Sequence, residues 1–248
     1  MNRLLALAFT VLLVTSAPAS GDDLDIISGG AVEPGVTAVV ALFRAQTGID
    51  VKVRFATAPM ILQRVASGEA ADVVIAPPAV IDQLERTGKL DGRRTAVGRV
   101  GVGVVVRDGA PVPDVSSEEA LRRALRDARS VVYNKASTGL YLEKLFERLG
   151  VGAEVKAKEV RYPDGASVIE HVIRGTGNDI GFGAITEITA YRGKGARLVG
   201  PLPAATQNYT SYAAAAAMRP QNAKAAAAFL KYIGSPAARA TLLAQGVE

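Results

Sequence analysis

The sequence predicts an α/β protein of two lobes, each a mixed, mostly parallel sheet flanked by helices, joined by a hinge that the chain crosses twice. Three observations carry this expectation. Short apolar or alternating runs of strand length alternate with stretches whose apolar residues recur at i, i+3, i+4 and i+7, first through residues 24–86 and again through 130–200. A long β-like run with interleaved glycines, Val97–Arg107, separates the two series. A proline-rich stretch, Gly200–Pro201–Leu202–Pro203, then leads into a second extended run, Asn208–Ala217. Crossings near 98–106 and 200–212 put lobe 1 at residues 20–100 and 206–248, and lobe 2 at 101–205. A single larger α/β domain with an irregular edge fits the same pattern.

The elements follow in order. Leu24–Ser28 reads as a strand, and Val36, Val39, Val40 and Phe43 give the next helix its stripe. Val51, Val53 and Phe55 alternate with Lys52 and Arg54, as a half-exposed strand requires. A helix with Ile61, Leu62 and Val65, a buried strand Asp72–Ala76 and a helix with Val80, Ile81 and Leu84 complete the first series. Beyond the long run come a proline turn at 109–113 and a helix from about Ser117 to Ala128. The second series places strands at Val131–Val132, near Val155–Val160, at Ile180–Phe182 and at Leu198–Val199. Its helices carry the stripes Leu142, Leu145, Phe146, Leu149 and Val168, Ile169, Val172, Ile173. Near the C-terminus, Ala226, Phe229, Leu230 and Ile233 form a helix that Gly234 stops, and Ser235–Pro236 opens another in cap-then-proline order.

A β-α-β order implies parallel strands covered on both faces, with ligands at the strand C-terminal ends. In lobe 1 those ends read Ser28–Gly29–Gly30, Ala56–Thr57–Ala58 and Ala76–Pro77–Pro78. In lobe 2 the strand Val131–Val132 breaks into Asn134–Lys135–Ala136–Ser137–Thr138–Gly139 just before a helical stripe. Such a joint leaves N–H groups unpaired at a helix N-terminus with the positive end of its dipole behind them, which suits a small anion. Hydroxyls of Ser137 and Thr138 and the ammonium of Lys135 stand beside those donors. Ser and Thr also open helices for local reasons, and taken alone the segment reads as an ordinary cap.

Composition is that of an ordered globular protein, 49% apolar and 21% charged. The formal charge of +5 is spread along the chain, and aromatics are only 5% with no Trp, so no nucleic-acid platform is expected. Arg3, the apolar stretch Leu4–Val14 and Ala17–Pro18–Ala19 read as a secretory signal peptide over residues 1–19. With no cysteine there is neither disulfide nor cysteine-borne lipid, which together with the signal points to the periplasm.

Longer motifs carry a family resemblance. SGGAVEPGVTAVVALFRAQTGIDVKVRFATA, GEAADVVIAPPAVIDQLERTGKL, GNDIGFGAITEI and the Phe229–Leu230 to Ser235–Pro236 segment ending in Gln245–Gly246 resemble periplasmic solute-binding proteins of ABC importers. More narrowly they resemble the molybdate-type (type II) branch. The resemblance implies a periplasmic binding protein-like fold whose lobes close over an anion such as molybdate or tungstate. It implies binding groups at Ser28, Gly29, Gly30, Thr57, Ala58 and Pro77 in lobe 1. In lobe 2 it implies Asn134, Lys135, Ser137, Thr138, Gly139, Ala184 and Ile185. Where that branch commonly has a serine pair this chain has Ser28–Gly29–Gly30, and where its late loop usually ends in tyrosine this chain has Gly183–Ala184–Ile185–Thr186–Glu187. These departures admit a second ligand class, a small organic di- or tricarboxylate, for which Lys135 and Arg161 are the nearest cations.

Catalytic chemistry finds little to work with. His171 is the only histidine and sits in a helical stripe, and Asp72, Asp179 and Glu187 are scattered carboxylates. The expectation is therefore a monomer that is not an enzyme and has no cofactor or metal. It captures a small anionic ligand and is recognised, closed, by an ABC permease in the inner membrane. The different-class alternative on the same fold is a sensory module that presents the anion to a membrane receptor.

Overall fold

The computed structural model describes residues 23–248; the expected signal peptide lies outside them. Strand β1 (Leu24–Gly29) runs through a 3₁₀ turn, Gly30–Val32, into α1 (Glu33–Thr47). Next come β2 (Val51–Ala56), α2 (Ala58–Ala66), β3 (Val73–Ala76) and α3 (Pro78–Arg86). The long strand β4 (Leu90–Arg107) is followed by α4 (Glu118–Asp127), β5 (Ser130–Asn134), α5 (Ser137–Arg148), α6 (Gly152–Lys156) and β6 (Glu159–Tyr162). The chain continues through α7 (Gly165–Arg174), β7 (Asp179–Ala184), α8 (Ile185–Ala190) and β8 (Ala196–Pro201). It closes with β9 (Tyr209–Ala217), α9 (Ala223–Ile233) and α10 (Pro236–Ala244).

The strands follow the order β2-β1-β3-β9-β4-β7-β5-β6, with β8 on β4. Pairs β1–β2, β1–β3, β5–β6 and β5–β7 are parallel, so their C-terminal ends point the same way within each lobe. Strand β4 is shared. Its first part, Leu90–Gly101, pairs with β9, and its last part pairs with β7 and β8. The chain thus passes between lobes within β4 and again before β9. Gln207 ties the two passages: its Oε1 accepts from Val102 N at 2.9 Å and its Nε2 donates to Val102 O at 3.0 Å.

Each sheet is covered on both faces, and the period-two alternation of strands assigns the residues. In lobe 1, Ile26, Val73 and Ile75 pack with Val36, Phe43 and Phe229, while Ile27, Val74 and Ala76 pack with Ile61, Ile81 and Leu84. In lobe 2, Val104, Val131 and Tyr133 face Leu121, Phe146 and Phe182, whereas Val105 and Val132 face Val168, Ile169 and Val172. Two buried carboxylates pin the layers. Asp72 accepts from Asp25 N and Asn222 N, each at 2.9 Å, joining β1 to the start of α9. Asp179 accepts from Arg129 and from Ser130 Oγ. Burial works against the charge on Asp179, but those donors outweigh it and hold the pKa below the ordinary value.

Two elements differ from the sequence expectation: β4 begins at Leu90 rather than Val97, and a strand of lobe 2 is shortened. The strand expected near Val155–Val160 starts only at Glu159, because residues 152–156 form the one-turn helix α6. Gly150 ends α5 in the left-handed region at φ 69°, and Val155 N then bonds back to Val151 O at 2.9 Å. Val155 still reaches the core, but from a helix face.

Candidate functional site

A cavity of about 250 Å³ lies between the lobes at the strand ends. Lobe 1 supplies Gly29 and Gly30 after β1, Phe55–Ala58 and Met60 around the β2–α2 joint, and Tyr212 from β9. Lobe 2 supplies Asn134 and Ala136–Thr138 between β5 and α5, Asp164–Ala166 at the start of α7, and Ala184 and Glu187 at the start of α8. Helices α2, α5 and α7 therefore all begin at this cavity. In neither of the first two does the N-cap side chain cap the helix; in α5 Asn134 takes the Gly139 N–H, which leaves Ser137 and Thr138 at the opening beside the cavity. In α7, Asp164 caps the helix by accepting from Ser167 N at 2.8 Å.

Asn134 is the most constrained of these groups, only 5% exposed. Its Oδ1 accepts from Ala136 N at 3.0 Å and Gly139 N at 3.1 Å. Those two donors fix which end of the amide is oxygen, so the Nδ2 donors remain, without a partner among the described residues, in the cavity wall. Behind it, Arg161 donates Nε and Nη2 to the Asn134 carbonyl at 3.2 and 3.0 Å, pairs with Glu143, and lies 4.3 Å over the Tyr133 ring. The Arg161 charge is thus spent on the scaffold. Gly139 is required by close approach: a Cβ there would stand 1.7 Å from the Asn134 carbonyl oxygen.

Glu187 occupies the wall where the lobes meet. Its carboxyl packs over two glycines, where an added Cβ would lie 2.1 Å from Oε2 at Gly165 in lobe 2 and 3.2 Å from Oε1 at Gly30 in lobe 1. Beside it, Thr186 Oγ1 donates to Ala31 O across the lobes. Burial pushes the Glu187 pKa up to about 7, with the charges of Asp164 and Glu33 adding to it and the Ala184 backbone N–H opposing it. Tyr212, pressed against Gly29, is likewise raised above the ordinary phenol value by burial and by Glu187.

Of the residues singled out from sequence, Gly29, Gly30, Thr57, Ala58, Asn134, Ser137, Thr138 and Ala184 line the cavity. Ser28, Pro77, Lys135, Gly139 and Ile185 do not. Ser28 is fully buried beneath Gly29, and its hydroxyl makes only a 3.4 Å bond to the Gly29 carbonyl. Pro77 leads into α3. The Lys135 side chain is exposed while its N–H bonds Tyr162 O at 2.8 Å. The Gly139 N–H is taken by Asn134. The sequence reading passed over Phe55, Met60, Asp164, Gly165, Tyr212 and the position of Glu187. The spacing from Ala184 to Glu187, a helix start with an acid three residues in, was the available signal. His171 Nδ1 is 2.9 Å from the Tyr162 hydroxyl and outside the cavity.

Two α/β lobes, a double passage between them and a cleft walled by helix N-termini define a hinged ligand-binding protein of the periplasmic binding protein-like class. The chain belongs to the bacterial extracellular solute-binding protein family, whose model matches residues 24–248. It is 29% identical over 257 residues to an aconitate isomerase from Pseudomonas sp., spanning 99% of this chain and 97% of that protein. Among solved structures it resembles the periplasmic molybdate-binding protein of Azotobacter vinelandii, with a TM-score of 0.75 and 16% identity over 91% of this chain and 98% of that one. It also resembles the sulfate-binding protein SubI of Mycobacterium tuberculosis H37Rv, at TM-score 0.74 and 20% identity over 91% of this chain and 86% of that one. At these identities the structural likeness bears on the fold.

Proposed function

We propose that this protein is the periplasmic substrate-binding component of an ABC importer and that its cleft captures a small organic di- or tricarboxylate. The observation that carries the reading is the make-up of the cavity wall. Neutral donors converge from both lobes: the openings of α2 and α5, the Asn134 amide, and the hydroxyls of Thr57, Ser137 and Thr138. The same wall carries Phe55, Met60, Tyr212 and several alanines. A bare tetrahedral oxyanion, the other class considered, uses the donors but leaves the apolar wall and much of the 250 Å³ to water. A carbon skeleton ending in carboxylates uses both. Ligand bridging the lobes stabilises the closed form, which the permease then recognises.

A second reading, an isomerase acting on an unsaturated tricarboxylate, is favoured by the full-length aconitate isomerase relative and by Glu187. Moving a double bond within such an acid takes a proton from one carbon and returns one to another. A carboxyl with a pKa pushed up to about 7 is suited to that exchange. Delivery is placed first because the family is one of solute-binding proteins.

The test is a thermal-shift and calorimetric screen of the chain lacking residues 1–19 against trans-aconitate, cis-aconitate, citrate, molybdate, tungstate and sulfate. The carboxylate reading expects a tricarboxylate at about 100 times its Kd to raise stability by about 2.7 kcal/mol, a Tm shift of about 5–10 °C. A shift with molybdate and tungstate alone sinks it in favour of an oxyanion. Incubation with trans-aconitate, followed by proton NMR, decides between the two fates: catalytic appearance of the cis isomer establishes the isomerase.

A further inference from the structure

The cleft poses an electrostatic problem. Glu33, Asp164 and Glu187 line it, and among the described residues no Lys or Arg does. An anion entering such a space meets like charges with no side-chain cation to offset them. Two of the acids have other engagements: Glu33 is exposed at the start of α1, and Asp164 is committed to capping α7. Glu187 differs. It lies in the wall between Gly30 of one lobe and Gly165 of the other, where the two lobes meet.

We propose that the cleft captures its anion together with one proton, held on Glu187, whose carboxylic acid then donates a hydrogen bond to a carboxylate of the ligand. The proposal rests on the carboxylate reading above. The proton comes from solvent, and no bond other than that O–H is made. The two neighbouring carboxylates press the same way as burial. Asp164 faces Glu187 from α7 and Glu33 faces it from α1, both raising its proton affinity. Tyr212, on β9, is neutral at working pH, as any phenol is there, and burial first and then Glu187 raise it further. At the end of α8, Tyr191 and Lys194 share an outer groove with Glu187, and the Lys194 ammonium stands 5.7 Å from the Tyr191 ring centroid. The Ala184 N–H alone favours the carboxylate. Adding a ligand anion tips that balance further toward the acid, so capture and protonation are linked. If Glu187 were only a helix-opening residue reaching back to Ala184, ligand binding would move no proton.

The experiment is isothermal titration of the chain lacking residues 1–19 with trans-aconitate, in phosphate and in Tris, between pH 6.5 and 8.5. Ordinary carboxylates stay ionised over that range. Wild type is expected to take up close to one proton at pH 8.5, and its Kd to weaken about tenfold per pH unit above neutrality. Glu187→Gln retains a side chain able to donate to the ligand and is expected to show no uptake and a flat Kd. Binding by wild type without proton uptake overturns the proposal. Absence of binding by trans-aconitate, cis-aconitate and citrate at every pH overturns the tricarboxylate form of the carboxylate reading instead. A ¹³C NMR titration of the Glu187 carboxyl in the free protein, assigned by its loss in Glu187→Gln, then decides the proton separately. A midpoint near neutrality supports the proposal, and one near the ordinary glutamate value overturns it.

Discussion

Asn134 shows how a single side chain is left with only donors to offer the cavity. Its oxygen is consumed by Ala136 N and Gly139 N, so the amide hydrogens are left for the cleft. Asn134→Asp keeps the accepting oxygen and replaces the donor with negative charge. It is expected to abolish anion binding, at a stability cost below that of removing the accepting oxygen. Asn134→Ala strands two buried N–H groups, at about 1–3 kcal/mol each before relaxation or water relieves them, and loses binding and stability together. Urea denaturation beside calorimetry separates the two effects; an aspartate variant that still binds its anion tightly removes Asn134 from the site. The residue type was legible in sequence, since Asn after a strand and before Ser-Thr-Gly is a turn with spare donors. Lys135 was equally legible and misleading. A charge beside a turn points wherever the backbone sends it, and here that is solvent.

At the scale of elements, β4 does the joining and Gly98 shapes it. Gly98 has φ 153° at a register shift between β4 and β9, and a Cβ there would lie 2.6 Å from the Val247 side chain. The C-terminal residues dock on that spot, with Arg99 N donating to Glu248 O at 2.7 Å and Glu248 N to Arg99 O at 3.0 Å. Gly98→Ala is therefore expected to destabilise by about 2–4 kcal/mol, from the strained backbone and the displaced plug. Removing residues 247–248 relieves the steric part, so the same substitution in the shortened chain is expected to cost clearly less. Equal costs in both backgrounds, read from urea midpoints, argue against this account. The interleaved glycines of β4 marked it as unusual in sequence, but nothing there shows that its partner is the C-terminus. By contrast α1, α2, α3 and α5 were legible from their stripes, because a one-sided helix must bury that side. The stretch 151–157 was not, since its two buried valines, Val151 and Val155, are too few to set a period.

For the molecule as a whole, the balance of buried acids sets how stability depends on pH. The folded-state pKa of Glu187 is raised to about 7, so between the ordinary glutamate value and neutrality the folded chain holds a proton that the unfolded chain releases. Stability is therefore highest on the acid side of that window and falls as pH rises through it, by about 2–3 kcal/mol in all. Asp179 and Glu159 act in the opposite sense. In each, burial is outweighed by its partners, Arg129 and Ser130 for Asp179, and Lys156 and Tyr133 for Glu159. Their stabilisation is present above the ordinary carboxylate range and is lost as pH falls through their lowered folded-state values. An optimum at mildly acid pH follows. Denaturation of wild type and Glu187→Gln at pH 5 and pH 8 checks it: wild type is expected to lose stability between the two, and the variant far less. A variant that loses as much as wild type places the effect elsewhere.

The sequence by itself determined the fold class, the order of most elements and the two passages between lobes. Periodicity and turn chemistry are local, and local preferences agree with the final packing through most of the chain. It also marked several of the loops that line the cavity, at Gly29–Gly30, Thr57–Ala58 and Asn134–Thr138, though not Asp164–Ala166. Only the tertiary structure decided which donors face inward and which are spent on the scaffold. Asn134 and Arg161 are both polar and close to the joint, yet one lines the cavity and the other holds it in place. Glu187 was one scattered acid among three until folding set it against glycines of both lobes. Its proton affinity is a property of that burial and of Asp164 and Glu33, which lie 23 and 154 residues away along the chain. Charge and burial act through space, so residues distant in sequence set them.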